Sequence, residues 1–243
     1  MIGMIPCAGY GTRLAPLTDT VLKPLIEIGG KSLVAHNLDL LRALGLSRVV
    51  LIISLHTEEV RSSLGSHYQG ITIEYVEQDP PQGLLDAVCQ ARGQVEDRFI
   101  TVLSDEVYAG CRHKDLVEYW QAYSDVDGIV GYVGNQDWDS IKKNYSVEMD
   151  SENLITGLIE KPRHQVNSLL GTGTWALTRS FFDYADLVLT KNPPDQRSFV
   201  DALQLMVKDN QVIQGYDLAG QYINVNYLDD VAAAERLLGR AAE

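Results

Sequence analysis

Short aliphatic runs alternate along this chain with stretches of helical periodicity. Residues 2–5 (IGMI), 48–54 (RVVLIIS), 71–76 (ITIEYV) and 99–104 (FITVLS) are rich in Val, Ile and Leu, the pattern of strands buried on both faces. Between them, residues 32–44, 57–64 and 83–92 carry apolar positions at helical spacing. Strands alternating with helices predict an α/β fold, a mainly parallel sheet with helices on its faces. The texture changes after Asp105. A helix (HKDLVEYWQAY), a strand (GIVGYV) and a hairpin (YSVEMDSENLITGLIEK) follow, the DSEN of the last being turn chemistry. A strand (TGTWAL), two helices, the segment QYINVN and a helix from about Asp229 to Arg240 complete the pattern. KNPPDQ is the Pro-rich loop, and no low-complexity linker or internal repeat interrupts the series. The expectation is one continuous domain, residues 1–243, in two lobes, 1–110 and 111–243.

Composition narrows the function. With 45% hydrophobic and 22% charged side chains in 243 residues, the chain can bury a full core. A formal charge of -13 argues against nucleic acid or an anionic membrane as partner, since phosphate backbones are repelled over most of the surface. A phosphate ligand must therefore meet local cations. Cys7, Cys89 and Cys111 are odd in number and lack CxxC spacing, which points away from a disulfide framework or zinc and toward a reducing compartment. MIGMI lacks the length and charge of a signal peptide, and VVLII is too short to span a bilayer. A cytoplasmic protein is expected.

Two phosphate signals lie within residues 5–33. GGKS matches the tail of a P-loop, but the glycine required five positions before Gly30 is Leu25 and no buried strand precedes it. It reads as a turn leading into a helix capped near Ser32. GYGTRL instead follows the first strand directly, where bare amides at a strand-to-loop turn can approach a polyphosphate. A dinucleotide fingerprint would need a glycine at Leu14, and that is missing. What remains is a glycine-rich turn with Arg13 and, ten residues on, Lys23-Pro24: two cations suited to a triphosphate.

The stretch AGYGTRLAPLTDTVLKPL resembles the G-x-G-T-R-L-x-P-(x)-K-P signature of sugar-1-phosphate nucleotidylyltransferases, also called nucleotide-sugar pyrophosphorylases. The resemblance continues through EQDPPQGLLDAV, LSDEVY, LIEKP, SFVDALQLMVKD and INVNYLDDVAAAE, and so covers nearly the whole chain. It implies a Rossmann-like three-layer sandwich with a mostly parallel mixed sheet. It also implies attack of a sugar-phosphate oxygen on the α-phosphorus of a nucleoside triphosphate, with release of pyrophosphate. Such chemistry rests on aligning two anions and neutralising charge, so cations and a metal carry it.

On that resemblance, Ala8, Gly9, Gly11 and Thr12 form the phosphate cradle, Arg13 binds the phosphates and steadies the departing pyrophosphate, and Lys23 touches the α-phosphate. Asp105 ends a strand at the carboxyl edge of the sheet, where ligands bind in open α/β folds, and a carboxylate there suits Mg²⁺. Glu106 beside it reads as a loop charge. The second metal ligand falls on Asn224, with Asn226 as the alternative register. Gln78 and Gly83 match the base-reading loop of uridylyl- and thymidylyl-transferring members; a glutamine amide can both donate to and accept from a pyrimidine edge. Lys161 corresponds to the lysine that grips the sugar phosphate, Glu160 to a sugar-hydroxyl ligand, and Gly171, Thr172 and Gly173 to the sugar pocket. Asp201, three residues after Ser198, has capping-box spacing as well as family context.

Ser146 departs from the pattern: it replaces a glycine whose backbone lies against the sugar, and its side chain would crowd a hexose pocket or add a hydroxyl. With the absence of the long insertions of larger family members, this points to a modified-sugar or cyclitol phosphate as acceptor, while Gln78 and Gly83 favour UTP or dTTP as donor. The partners implied are an NTP and a phosphorylated small molecule, and the chain leaves a homo-oligomer open. Two rivals stand beside this reading: a cytidylyltransferase acting on phosphocholine or a phosphonate, and a non-catalytic nucleotide or sugar-phosphate sensor.

Overall fold

The computed structural model describes residues 1–123, 125–134, 136–193 and 196–241. It opens with β1 (Ile2–Pro6), a loop of 3-10 turns, the small hairpin β2 (Glu27–Ile28) and β3 (Lys31–Ser32), and α1 (Leu33–Ala43). There follow β4 (Arg48–Ile53), α2 (Glu58–Leu64), β5 (His67–Tyr68), β6 (Ile71–Glu77), α3 (Leu84–Gln90), β7 (Arg98–Thr101) and β8 (Glu106–Ala109). Next come α4 (His113–Ala122), β9 (Gly128–Val133), α5 (Trp138–Ile141), β10 (Tyr145–Met149), β11 (Ile155–Glu160) and β12 (Leu170–Thr178). The chain continues through α6 (Phe181–Lys191), α7 (Phe199–Lys208), β13 (Ile213–Asp217), β14 (Gln221–Asn224) and α8 (Leu228–Ala241). Residues 194 and 195 of the Pro-rich loop lie outside the described residues.

A ten-stranded sheet runs β11-β10-β12-β7-β1-β4-β6-β5, with β9 on β12 and β13 on β9. The block β7-β1-β4-β6 is parallel. Through antiparallel β12, strands β9, β10 and β13 regain the same direction, leaving β5, β11 and β12 opposed. The sheet is therefore mixed and mostly parallel, as the alternation of strand and helix requires.

Alternation along β4 shows why the architecture has three layers. Val49, Leu51 and Ile53 join Leu38 and Leu41 of α1 in one core, whereas Val50 and Ile52 join Leu85 and Val88 of α3 in another. Successive strand side chains point to opposite faces, so a continuous Val-Val-Leu-Ile-Ile run must be covered on both sides. Full burial of each such side chain stabilises by about 1.5–3 kcal/mol.

A third core joins the two ends of the chain. Leu14, Ile26, Ile28 and Leu33 pack with Val225, Ala234 and Leu237, bringing β14 and α8 back onto the opening loop. β8 and β14 form their own antiparallel pair, separate from the large sheet. Among the described residues, no helix is long and apolar enough to cross a membrane.

Candidate active site

The loop after β1 emerges at the carboxyl edge of the parallel block, and its backbone amides at residues 8–11 have no acceptor among the described residues. Unpaired N–H groups persist where water or a ligand can reach them, and residues 8–13 line a cleft of about 940 Å³. Gly11 turns this loop at φ 65, and a Cβ there would stand 2.8 Å from Cβ of Lys23. The glycine thus serves both the left-handed turn and close passage of the lysine stem. The GGKS segment does something else. Gly29 and Gly30 form the bend between β2 and β3, Lys31 pairs with Asp39, and Ser32 precedes α1 without a side-chain cap bond. None of the four lines the cleft.

Lys23 reaches the cleft floor, where Nζ lies 2.5 Å from Oδ2 of Asp105 and 3.0 Å from Oδ1 of Asn226. Asn226 donates from Nδ2 to Oδ1 of Asn224 at 2.7 Å, and the Val225 amide donates to the Asp105 carbonyl at 2.8 Å. Asp105, Asn224 and Asn226 therefore gather oxygen donors around one cationic position. Of the two asparagines, Asn226 shares the cation with Asp105, while Asn224 stands one hydrogen bond further away. Among the described residues no cluster of three or more His, Cys, Asp or Glu side chains could hold a metal, so any ion here relies on one carboxylate and amide oxygens.

Glu106 is not the loop charge expected from sequence. It begins β8, is fully buried, and accepts hydrogen bonds from Tyr108 Oη at 2.6 Å, Tyr222 Oη at 2.7 Å and the Gly173 amide at 2.9 Å. Burial, reinforced by the neighbouring Asp105 charge, pushes its carboxyl up to about 7. A Cβ at Gly173 would stand 2.2 Å from Leu103 Cγ and 2.7 Å from Glu106 Oε2, so a residue without a side chain stands there. The network extends from Tyr108 through Thr174 to the buried His113, whose ring burial pushes down to about 4. Cys7 also lines the cleft, but burial pushes its thiol up to about 12 and so removes it as a thiolate nucleophile.

Gln78, which follows β6 directly, lines the cleft and is 3% exposed. Its Nε2 donates to the Gly83 carbonyl at 3.0 Å and to Oδ2 of Asp86 at 2.8 Å. The donor half of the amide is thus committed within the protein, and the expectation that this residue can both donate to and accept from a base is corrected: acceptance remains.

Opposite, Glu160, Lys161, Gly171, Thr172 and Gly173 line the other wall. Lys161 sits in the left-handed region at φ 44, held by its amide's 2.7 Å hydrogen bond to the Asn144 carbonyl, and leaves its side chain 69% exposed. Partial burial raises the Glu160 carboxyl above the usual carboxylate range. Asp201 accepts from the Ser198 amide in a capping box at the start of α7 and also faces the cleft. Ser146 is the exception. In β10 its neighbours Tyr145 and Val147 point into one core, so Ser146 points to the opposite face, fully buried and outside the lining, with Oγ unpartnered. Its predicted contact with the acceptor is corrected on this parity.

Sequence reasoning passed over Lys143 and Arg197, two further cations in the lining. Lys143 Nζ lies 5.4 Å from the Tyr227 ring centroid, and the Arg13 guanidinium approaches the same ring at 5.9 Å. Lone basic residues carry no local signal in sequence; here, the only pointer was the proximity of Lys143 to the segment that departs from the family pattern.

Free loop amides, convergent cations and an oxygen cluster at the carboxyl edge of a parallel sheet make an α/β cleft suited to the phosphates of a nucleotide. A family model described as nucleotidyl transferase matches residues 2–236, and the chain belongs to that family. It is 26% identical over 238 residues to a UTP–glucose-1-phosphate uridylyltransferase (AglF) of Haloferax volcanii, covering 98% of this chain and 96% of that one. It is 27% identical over 237 residues to a mannose-1-phosphate guanyltransferase of Candida albicans, covering 95% of this chain and 62% of the relative. A solved structure of UDP-glucose pyrophosphorylase complexed with UDP-glucose superposes with a TM-score of 0.83 at 20% identity, covering 98% of both chains.

Proposed function

We propose that the protein transfers a uridylyl or thymidylyl group from UTP or dTTP to a sugar-1-phosphate or related cyclitol phosphate, releasing pyrophosphate and forming a nucleotide sugar. The observation that carries this reading is convergence: Arg13, Lys23, Asp105, Gln78 and Lys161, spread over 149 positions from 13 to 161, line one cleft. A surface of net charge -13 otherwise repels both substrates, so Arg13, Lys23 and Lys161 must supply the local attraction.

In this reading the amides of residues 8–11 and Arg13 hold the β- and γ-phosphates, and Arg13 stabilises pyrophosphate as it leaves. Lys23 meets the α-phosphate. Lys161 holds the acceptor phosphate in line, and Glu160 accepts from an acceptor hydroxyl. Gln78 and Gly83 face the base. The oxygen donors of Asp105, Asn224 and Asn226 suit Mg²⁺, whose contribution when bound is neutralisation of phosphate charge. The free cysteines support a reducing, cytoplasmic setting. A base that turns its ring N3 to that acceptor must carry N3–H, as uracil and thymine do, whereas cytosine pairs with it only through its exocyclic N4–H₂.

A screen of nucleoside triphosphates against phosphorylated sugars and cyclitols, read as pyrophosphate release, tests the reading. Turnover with UTP or dTTP, abolished by Asp105→Ala, is expected. Binding without turnover for every pair would favour the sensor instead.

A further inference from the structure

The base side of the cleft holds a residue whose role goes beyond lining it. Asp86, in the first turn of α3, is outside the cleft wall, yet its Oδ2 accepts from Gln78 Nε2 at 2.8 Å. The second partner of that nitrogen, the Gly83 carbonyl at 3.0 Å, is also an acceptor. Two acceptors fix which end of the amide faces them, because only the NH₂ group can donate. Gln78 Oε1 has no partner among the described residues and is the polar end left for a ligand. Asp86 is itself steadied by Gln90, whose Nε2 donates to Oδ1 at 3.3 Å.

We infer that Asp86 sets nucleobase selection by locking Gln78 with its carbonyl oxygen outward, admitting bases with a protonated ring nitrogen and rejecting those with a bare one. Uracil and thymine present N3–H beside two carbonyls, and guanine presents N1–H. Cytosine N3 and adenine N1 are acceptors, so in the same pose an acceptor faces Gln78 Oε1 and both groups go unpaired where an unmade hydrogen bond is costly; their exocyclic N4–H₂ and N6–H₂ reach Oε1 only if the base shifts from that pose. Asp86 is thus a positioning residue, acting through Gln78 rather than on the nucleotide. The inference rests on the proposed assignment of Gln78 to the base.

The test is the ratio of UTP to CTP affinity, measured by titration of each nucleotide into the protein with no acceptor present. Wild type should prefer UTP by tenfold or more. In Asp86→Ala the amide is free to turn over, and the ratio should narrow about tenfold, with CTP binding gained as UTP binding is lost. Asp86→Glu, which keeps the acceptor, should restore most of the preference. A structural role alone would weaken both nucleotides equally and leave the ratio intact, which overturns the inference. Gln78→Ala separates the two layers. If it leaves the ratio unchanged, Gln78 does not read the base and the assignment itself fails. If it moves the ratio while Asp86→Ala does not, the assignment stands and the lock is wrong. Should Asp86→Ala not fold, wild type with N3-methylated UTP, which lacks the ring N–H, carries the test. Loss of tenfold or more relative to UTP supports the outward acceptor, and equal binding overturns it.

Discussion

The two walls of the cleft are built on different principles. Around the opening loop two side chains are already tied within the protein: Gln78 is 3% exposed and Lys23 12% by side chain, each with two hydrogen-bond partners, while the amides at residues 8–11 and the exposed Arg13 stay open. On the acceptor side Lys161 is 69% exposed by side chain, and its nearest ionic partner, Glu160, lies 3.8 Å away. Side chains that are already ordered lose little freedom on binding, whereas a free lysine must be immobilised by its ligand. The difference shows that the cleft combines side chains ordered before any ligand arrives with others that a ligand must immobilise.

The largest expected effect comes from the junction of the walls. Asp105→Ala removes the carboxylate from the oxygen cluster and leaves Lys23 without its ionic partner; pyrophosphate release should fall roughly a thousandfold. A loss below tenfold would break the view that the floor of the cleft is its chemical centre.

Next is the buried network behind the acceptor wall, read by thermal melts against pH. His113 has an ordinary value of 6.5 and a folded value of about 4, so the unfolded chain binds more protons between them. Its stability contribution is complete above pH 6.5 and is lost as pH falls toward 4, about 3 kcal/mol in all by the size of the shift. Glu106 has the opposite sign: raised from 4.5 to about 7, it favours the fold below pH 4.5 and loses that contribution as pH rises through 7. The slopes oppose each other, so His113→Leu should make stability fall with rising pH and Glu106→Gln should make it rise more steeply. Parallel curves for all three proteins would show that the wall is not backed by these groups.

Lys161→Ala sharpens the comparison at the substrate level. It should raise the acceptor KM about 10- to 50-fold while nucleotide affinity stays within twofold, because its ammonium belongs to one wall. Equal losses for both substrates would merge the walls. Smallest of all is Lys31→Met: this lysine pairs with Asp39 away from the cleft, and its loss should leave turnover within twofold. A tenfold loss would reinstate GGKS as a phosphate site.

Much of this was legible in sequence where the signal is local. Val49–Ile53 announces a strand covered on both faces, and GYGTRL places glycines, Arg13 and the end of β1 within a dozen residues. Signals that depend on distant partners were not legible. Glu106 looks like a solvated charge until Tyr222 and Gly173, 116 and 67 positions away, are folded onto it. The placement of Ser146 on the buried face opposite Tyr145 and Val147 depends on strand parity that the family pattern does not reveal. β5 and β2–β3 have two residues per strand, too few for periodicity, and β13 (IQGYD) is broken by a central glycine. The committed donor of Gln78 depends on the rotamer of Asp86, and spacing alone is silent on that.

The most direct measurement is a crystal structure with UDP-glucose, the nucleotide sugar that stands for both substrates joined. The account predicts the uracil against Gln78, the diphosphate between Lys23 on one side and Lys161 on the other, with Arg13 left for the departed pyrophosphate, and the sugar beside Glu160. A diphosphate seated away from either cationic group, or a base turned from Gln78, would contradict it.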